Sequence, residues 1–336
     1  MEAMRALGRG GLRVGPVSLG CAPIGNLGRA LSDSEWRSSI TQALVSGIGY
    51  FDTAPHYGLG LAEERLGQVL SEQPREQLIV SSKVGRLIVP TAGSGRVVDS
   101  EGFLVEDSRT RVLDYSRDGV LRSIEASLAR LGLDRLDIVF VHDPDNHYEE
   151  ALEGAFPTLA ELQSEGVITS YGAGMNQAEM LSDFVRNTDL DVVMLAGRYT
   201  LLDQRGLDEL LPLCEERGVS VVAAGVFNSG ILATDRPQPE ATYDYVTASP
   251  EMYRQAQVIA DIAGDYGVSL PAVAAQFPLA HPAVATVCLG ARSGEQVQRN
   301  VGLVDVRIPS ELWADLVVAG VLRSDAPVDV RDRLGH

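Results

Sequence analysis

Short apolar and β-branched runs recur along the chain at Val17–Gly20, Tyr50–Asp52, Leu78–Ser82, Leu136–Val141, Ile168–Gly172, Val192–Leu195, Val219–Ala223 and Ala285–Leu289. Near-continuous apolar runs of this length suit strands buried on both faces of a parallel sheet. Helical periodicity fills the intervals. Ser32–Ser34 can cap a helix over Glu35–Val45 that ends at Gly47. Leu61–Leu70 follows the second run, and Gly119–Leu131 carries an apolar stripe at Val120, Leu121, Ile124, Leu128 and Leu131. Ala151–Gln163, Gln177–Arg186, Gly206–Arg217, Met252–Tyr266 and Gly294–Asn300 supply the remaining helices. Eight strand–helix units predict an α/β fold closed into a (β/α)8 TIM barrel, here a single domain over residues 1–336. An open doubly wound sheet is the alternative, but Gly20-Cys21-Ala22-Pro23-Ile24-Gly25 after the first run lacks the G-x-G-x-x-G fingerprint.

Three segments depart from simple alternation. Met4–Leu7 and Leu12–Gly15 flank Gly8-Arg9-Gly10-Gly11 and read as a β-hairpin plugging the barrel bottom. Val84–Asp118, rich in Gly, Ser and charge, reads as a long loop leaving the C-terminal end of a strand, where barrel active sites lie. With Thr234–Pro250 it is expected to cover the substrate, its arginines Arg96, Arg109 and Arg111 being exposed. Ser269–Ala291 carries no charged residue, but Pro271, Pro278 and Pro282 make it a helix, a turn and a buried strand rather than a membrane span.

Composition narrows the partners. A net charge of −18, from 28 Lys+Arg against 46 Asp+Glu, repels phosphate backbones and anionic membranes. Neither nucleic acid nor membrane is expected, and a small molecule is. Cys21, Cys214 and Cys288 show neither a disulfide framework nor metal-ligand spacing. With no apolar h-region in Met1–Pro16, these sparse cysteines point to a cytoplasmic protein. The oligomeric state is not legible.

Polar residues gather where the strands end. The second ends in Phe51-Asp52-Thr53-Ala54-Pro55-His56-Tyr57-Gly58, the third in Ser81-Ser82-Lys83, and the fourth in Val141-His142-Asp143. With Gly172-Ala173-Gly174-Met175-Asn176, and Gly290-Ala291-Arg292-Ser293 followed by Asn300, this constellation resembles the aldo-keto reductases from Leu12 through Asn300. Within that family it looks most like the aldose 1-dehydrogenase (L-fucose dehydrogenase) branch, which also includes pyridoxal dehydrogenase. The segments Asp114-Tyr115-Ser116-Arg117-Asp118, His142-Asp143-Pro144-Asp145, Leu195–Gln204 and Gly225–Gly230 carry that likeness.

The resemblance implies catalysis by Asp52, Tyr57, Lys83 and His142. Hydride transfer at a carbonyl or hemiacetal carbon needs a proton moved at the oxygen. Tyr57 would move it, and a neighbouring Lys83 ammonium would lower the phenol pKa. Asp52 would orient Lys83, and His142 would hydrogen-bond the substrate oxygen. His56 and Asp143 are expected to contact substrate, with Asn146 a further candidate for sugar hydroxyls.

NAD or NADP is implied as cofactor. Asn176 would hold the carboxamide; Phe227, Asn228, Ser229, Gly230 and Leu232 would wrap the pyrophosphate through backbone N–H groups. Gly290, Ala291, Arg292 and Ser293 open the last helix, whose N-terminus suits a phosphate, and Gln296 and Asn300 would face the adenine. Ala196, Ala224 or Gly225, and Gln296 depart from the family's usual glutamine, tyrosine and basic residue, which argues against a strict NADP preference.

Each residue also has a plainer role. Asp52 alone could cap a turn, Tyr57 could be packing, and His142 could be a satisfied structural histidine. Lys83, ending an apolar strand, needs a partner on any account. The run His142–His147 has no compact pair of histidine ligands, so no metal is expected. A Schiff-base aldolase built on Lys83 and a non-catalytic nucleotide-binding partner protein are the competing functions.

Overall fold

The computed structural model describes residues 4–93, 95 and 97–328. Eight parallel strands form the barrel: β1 (Val17–Gly20), β2 (Tyr50–Asp52), β3 (Ile79–Pro90), β4 (Ile138–His142), β5 (Ser170–Met175), β6 (Val192–Ala196), β7 (Ser220–Ala224) and β8 (Val284–Gly290). Neighbours follow chain order, and β8 pairs with β1 to close the sheet. All eight expected strands are present. Register aligns Asp52 with Gly20 and Ser81, Lys83 with Phe140, and His142 with Gly174, so the polar strand ends share one rim.

The hairpin of Arg5–Leu7 and Leu12–Val14 closes the opposite end. Its Leu7 and Val14 are buried with Tyr50, Ile138, Phe140, Val192, Met194 and Val222 in the barrel interior. Gly11 turns the hairpin with φ 82°, a conformation that costs a residue bearing a Cβ. Arg5 Nη1 donates to the carbonyls of Leu279 and Val284, and Arg9 Nε pairs with Asp191 at 2.9 Å, tying the plug to the barrel.

A larger apolar layer lies between strands and helices. The helix Asp33–Val45 starts in a capping box: Ser32 accepts from the Glu35 N–H, and the Glu35 carboxylate accepts from the Ser32 N–H. The helices Leu61–Leu70 and Arg117–Leu131 approach so closely that a Cβ on Gly67 would sit 2.2 Å from the Leu131 carbonyl oxygen. Glu63, fully buried, accepts from Arg130 Nε and Ser82 Oγ, both at 2.7 Å. That bond network fixes both helices against the strand bearing Lys83.

Two expectations change. The helix expected over Ala151–Gln163 begins at Tyr148 and passes through a π-turn at Ala151–Ala155 before Phe156–Ser164. Pro157 lies just past the bulge and has no N–H to continue the regular ladder. The Val84–Asp118 loop is largely a β-arm. β3 runs on to Pro90 and pairs antiparallel with Arg109–Asp114. Gly and Ser in the middle of the segment hid the two strands that flank them. Ser269–Ala291 folds as expected, with a helix at Leu270–Gln276, a 3-10 turn at Pro278–Ala280 and then β8. Among the described residues no single helix is long and apolar enough to cross a membrane.

Candidate active site

Asp52 ends β2 and Lys83 lies in β3, both almost fully enclosed. Lys83 Nζ donates to Asp52 Oδ1 at 2.8 Å, Asp52 Oδ2 at 2.7 Å and the Thr53 carbonyl at 3.0 Å. All three ammonium hydrogens are thereby used. Ser81 Oγ also donates to Asp52 Oδ1, and Tyr50 and Ser81 hydroxyls lie 3.1 Å apart beneath it. A buried charge pair persists only when such extra bonds complete it.

Tyr57 stands above this pair, with Lys83 Nζ 4.9 Å from its ring centroid. Burial pushes the phenol pKa well up, and the negative charge of Asp52 adds to the rise. This corrects the expectation that Lys83 lowers it: the ammonium is committed to Asp52, so the resting tyrosine is a neutral phenol.

His142 completes the group. Its ring meets that of Tyr57 edge-on at 5.9 Å and that of His56 at 5.4 Å. Burial first, then the positive charge of Lys83, holds His142 well below the ordinary histidine range. Burial, with Arg111 and Arg86, takes His56 down to about 2. Both imidazoles are therefore neutral at working pH. The expected tetrad thus comes together, and both expected substrate residues, His56 and Asp143, border it.

Several residues of this wall were not anticipated. Arg86, from the β-arm, pairs with Asp143 at 3.0 Å, and His142 Nε2 lies 3.5 Å from the same carboxylate. Burial raises Asp143 to about 6. Tyr115 OH donates to the carbonyls of His142 and Asp143, at 2.9 and 3.1 Å. Phe103, also from the arm, packs edge-on against His56 at 5.5 Å. Arg111, expected on the surface, is instead largely enclosed, bonding the His56 carbonyl and Asp99. Arg109 does lie at the surface, paired with Glu64, whereas Arg96 lies outside the described residues. Arg86, Phe103, Arg111 and Tyr115 all lie in Val84–Asp118, expected to cover the substrate as a loop, but only the segment at Tyr115 carried the family likeness. The others sat in a stretch whose strand alternation was masked by its polar middle.

The opposite side of the mouth is formed by the segments after β5, β7 and β8. Asn176 is exposed there, just past β5. Asn228, Ser229 and Gly230 form a tight turn with φ of 44°, 58° and 108°. The expected cradle of open amides is only partly present: Asn228 N–H donates to Gly225, and those of Gly230 and Leu232 donate to Phe227. Leu232 is fully buried in the core, so neither its side chain nor its amide is free for a ligand. Phe227 is half-buried. Ser229 is braced by a second hairpin, accepting from Thr242 Oγ1 and the Tyr245 N–H, while Arg198 grips Asp244 with two bonds of 2.9 Å.

Gly290, the last residue of β8, is exposed, but Ala291 is buried, its carbonyl accepting from Ser39. Ser293 caps the helix Gly294–Val304. Gln296 Oε1 accepts from the Arg292 N–H, and Asn300 Nδ2 donates to the Gly290 carbonyl at 3.3 Å. Gln296 and Asn300 thus brace this loop with groups expected to face the adenine. Two buried polar atoms on this side, Asn228 Oδ1 and Arg292 Nε, have no protein partner among the described residues. Beside the first turn of this helix they fit a polar ligand such as a dinucleotide carrying phosphates.

The family model described as the aldo/keto reductase family matches residues 16–319. The chain is 42% identical to D-threo-aldose 1-dehydrogenase of a Pseudomonas species, covering 93% of this chain and 96% of that protein. It is 41% identical to pyridoxal 4-dehydrogenase of Microbacterium luteolum, covering 95% and 97%. An aldo-keto reductase of Bacillus halodurans in its holo form superposes with a TM-score of 0.75 at 27% identity, over 98% of this chain and all of that one (100%). A closed parallel barrel, polar residues gathered on one rim and full-length likeness to these enzymes agree: the chain belongs to the aldo/keto reductase family of NAD(P)-dependent oxidoreductases.

Proposed function

We propose that this enzyme oxidises the anomeric carbon of an aldose to a lactone, with Tyr57 carrying the proton. The observation that supports this most is the protonation pattern at the rim. His56 and His142 are held neutral by burial, Lys83 is fully engaged by Asp52 and Thr53, and Tyr57 presents a phenol O–H beside them. A neutral His142 positions the substrate oxygen by a hydrogen bond. Tyr57 takes the hydroxyl proton in oxidation or gives its own in reduction. Asp52 acts by fixing Lys83 beneath the Tyr57 ring, with Nζ 4.9 Å from its centroid. His56 and Asp143 line the substrate side. A bound nicotinamide cofactor supplies the hydride acceptor or donor. Asn176, Asn228, Ser229, Gly290, Arg292 and Ser293 would hold it. Arg292 with its unpartnered Nε is the candidate for a 2′-phosphate, while Gln296 is spent on the loop, so NAD and NADP are both accommodated.

The engaged state of Lys83 opposes an imine-forming aldolase, which needs a free amine. Pyridoxal is the second substrate reading, supported by the near-equal similarity to pyridoxal 4-dehydrogenase.

The pH dependence tests the proton assignment. With the Tyr57 pKa raised, the phenolate fraction grows about tenfold per pH unit below it. Oxidation is therefore expected to keep rising through pH 7–10 with no histidine-type plateau near 6.5, measured as kcat/KM for aldose oxidation. A break near pH 6 that disappears in Asp143→Asn belongs to Asp143, which ionises as pH rises through about 6. A profile that levels off near pH 7 in both enzymes would assign the proton to a histidine instead.

A further inference from the structure

Unpaired polar groups concentrate on one wall of the mouth. Among the described residues, Thr53 Oγ1, His56 Nδ1, His142 Nδ1, Arg86 Nε and Arg111 Nε are all buried without a partner. Burying a polar atom unpaired is costly, and such atoms rarely collect without a ligand or water to meet them. Beside them stands Asp143, whose backbone is itself strained at φ 39°. That left-handed conformation is over-determined: the Asp143 N–H donates to Gly174, and Tyr115 OH grips the carbonyls of His142 and Asp143. Strain held this firmly aims a side chain. The carboxylate it aims accepts from Arg86 at Oδ2, with His142 Nε2 3.5 Å from the same oxygen, and Oδ1 has no protein hydrogen bond among the described residues. Arg86 in turn spends only Nη2 on this contact. An open acceptor and open donors therefore lie side by side, next to the histidine that faces the reacting oxygen.

We infer that Arg86 and Asp143 form a clamp for the hydroxyl groups adjacent to the reacting carbon, Asp143 Oδ1 accepting from one and the Arg86 guanidinium donating to its neighbour. The pair thereby selects α-hydroxylated carbonyl substrates and their hemiacetals over plain or aromatic aldehydes. The inference deepens the aldose reading by naming the residues that recognise the sugar, and rests on Tyr57 and His142 marking the reacting end. It extends to any α-hydroxy aldehyde, which lets the two claims be tested apart. The geometry suits hydroxyls because each is at once donor and acceptor, matching a carboxylate and a guanidinium held at 3.0 Å.

The test compares kcat/KM for reduction of glyceraldehyde and of propanal, which lacks the hydroxyls, in wild type, Arg86→Met, Arg86→Lys and Asp143→Asn. Oxidation of L-fucose is measured alongside, and the thermal midpoint of each variant reports its folding. Wild type should favour glyceraldehyde by about 10- to 100-fold, the worth of a hydrogen bond to a charged group. That ratio should fall toward one in Arg86→Met and Asp143→Asn, chiefly through KM, with Arg86→Lys between. A ratio unchanged in folded variants, or near one already in wild type, overturns the clamp. Loss of the glyceraldehyde preference in the variants, with no L-fucose oxidation by wild type, keeps the clamp and rejects the aldose 1-dehydrogenase reading.

Discussion

Tyr57→Phe is expected to cut turnover by about 10²–10⁴-fold, the usual worth of a positioned acid–base group. The change removes one oxygen and keeps the ring, so packing against His142 and Phe103 survives. KM, cofactor affinity and thermal midpoint should therefore change little. The loss follows from the neighbours: neither imidazole is an imidazolium at neutral pH, because burial holds both neutral, and a neutral imidazole N–H is too weak an acid to replace the phenol. Asp143, raised only to about 6, is mostly ionised there and cannot substitute as an acid. A Phe variant retaining a tenth or more of wild-type turnover would show that another group moves the proton.

Asp52→Ala should be the most damaging single change to both stability and activity. It strips Lys83 of two of its three acceptors while leaving the ammonium enclosed. Breaking a buried pair by removing one partner costs about 3–5 kcal/mol, because an uncompensated charge remains. The thermal midpoint should fall by several degrees, and turnover should fall with it as Lys83 loses its anchor. Asp52→Ala combined with Lys83→Met removes both charges and should recover much of the stability but none of the activity. Equal midpoints for the single and double variants would mean that the charge pair does not govern this region.

The barrel was readable in the sequence because its strands are short apolar runs with helices between them. The rim tetrad was readable through the family resemblance, carried by polar residues at the ends of the apolar runs; Asp52 and His142 end their strands, while Lys83 lies near the end of the part of β3 that pairs within the barrel. The electrostatics were not. Lys83 next to Tyr57 suggested a lowered phenol pKa, but the outcome depends on where three ammonium hydrogens point and how dry the phenol is. Neither is written in spacing. The arm that delivers Arg86, Phe103 and Arg111 was hidden for a different reason. Its strands flank a Gly- and Ser-rich middle, and Arg86-Leu87-Ile88-Val89 reads as the start of a loop until Arg111-Val112-Leu113 pairs with it. Leu232 shows the limit of carrying a motif across a turn: the local backbone closes on itself and turns that residue into the core.

The most direct measurement follows the hydride itself. L-fucose deuterated at carbon 1 would be incubated with the enzyme and NAD or NADP in separate reactions, and both products examined by NMR. The account predicts deuterium on carbon 4 of the reduced nicotinamide in equal amount with lactone, and neither product above background in Tyr57→Phe. Reduction of the cofactor by pyridoxal but by no aldose, or aldose turnover that leaves the label on the sugar, would contradict it.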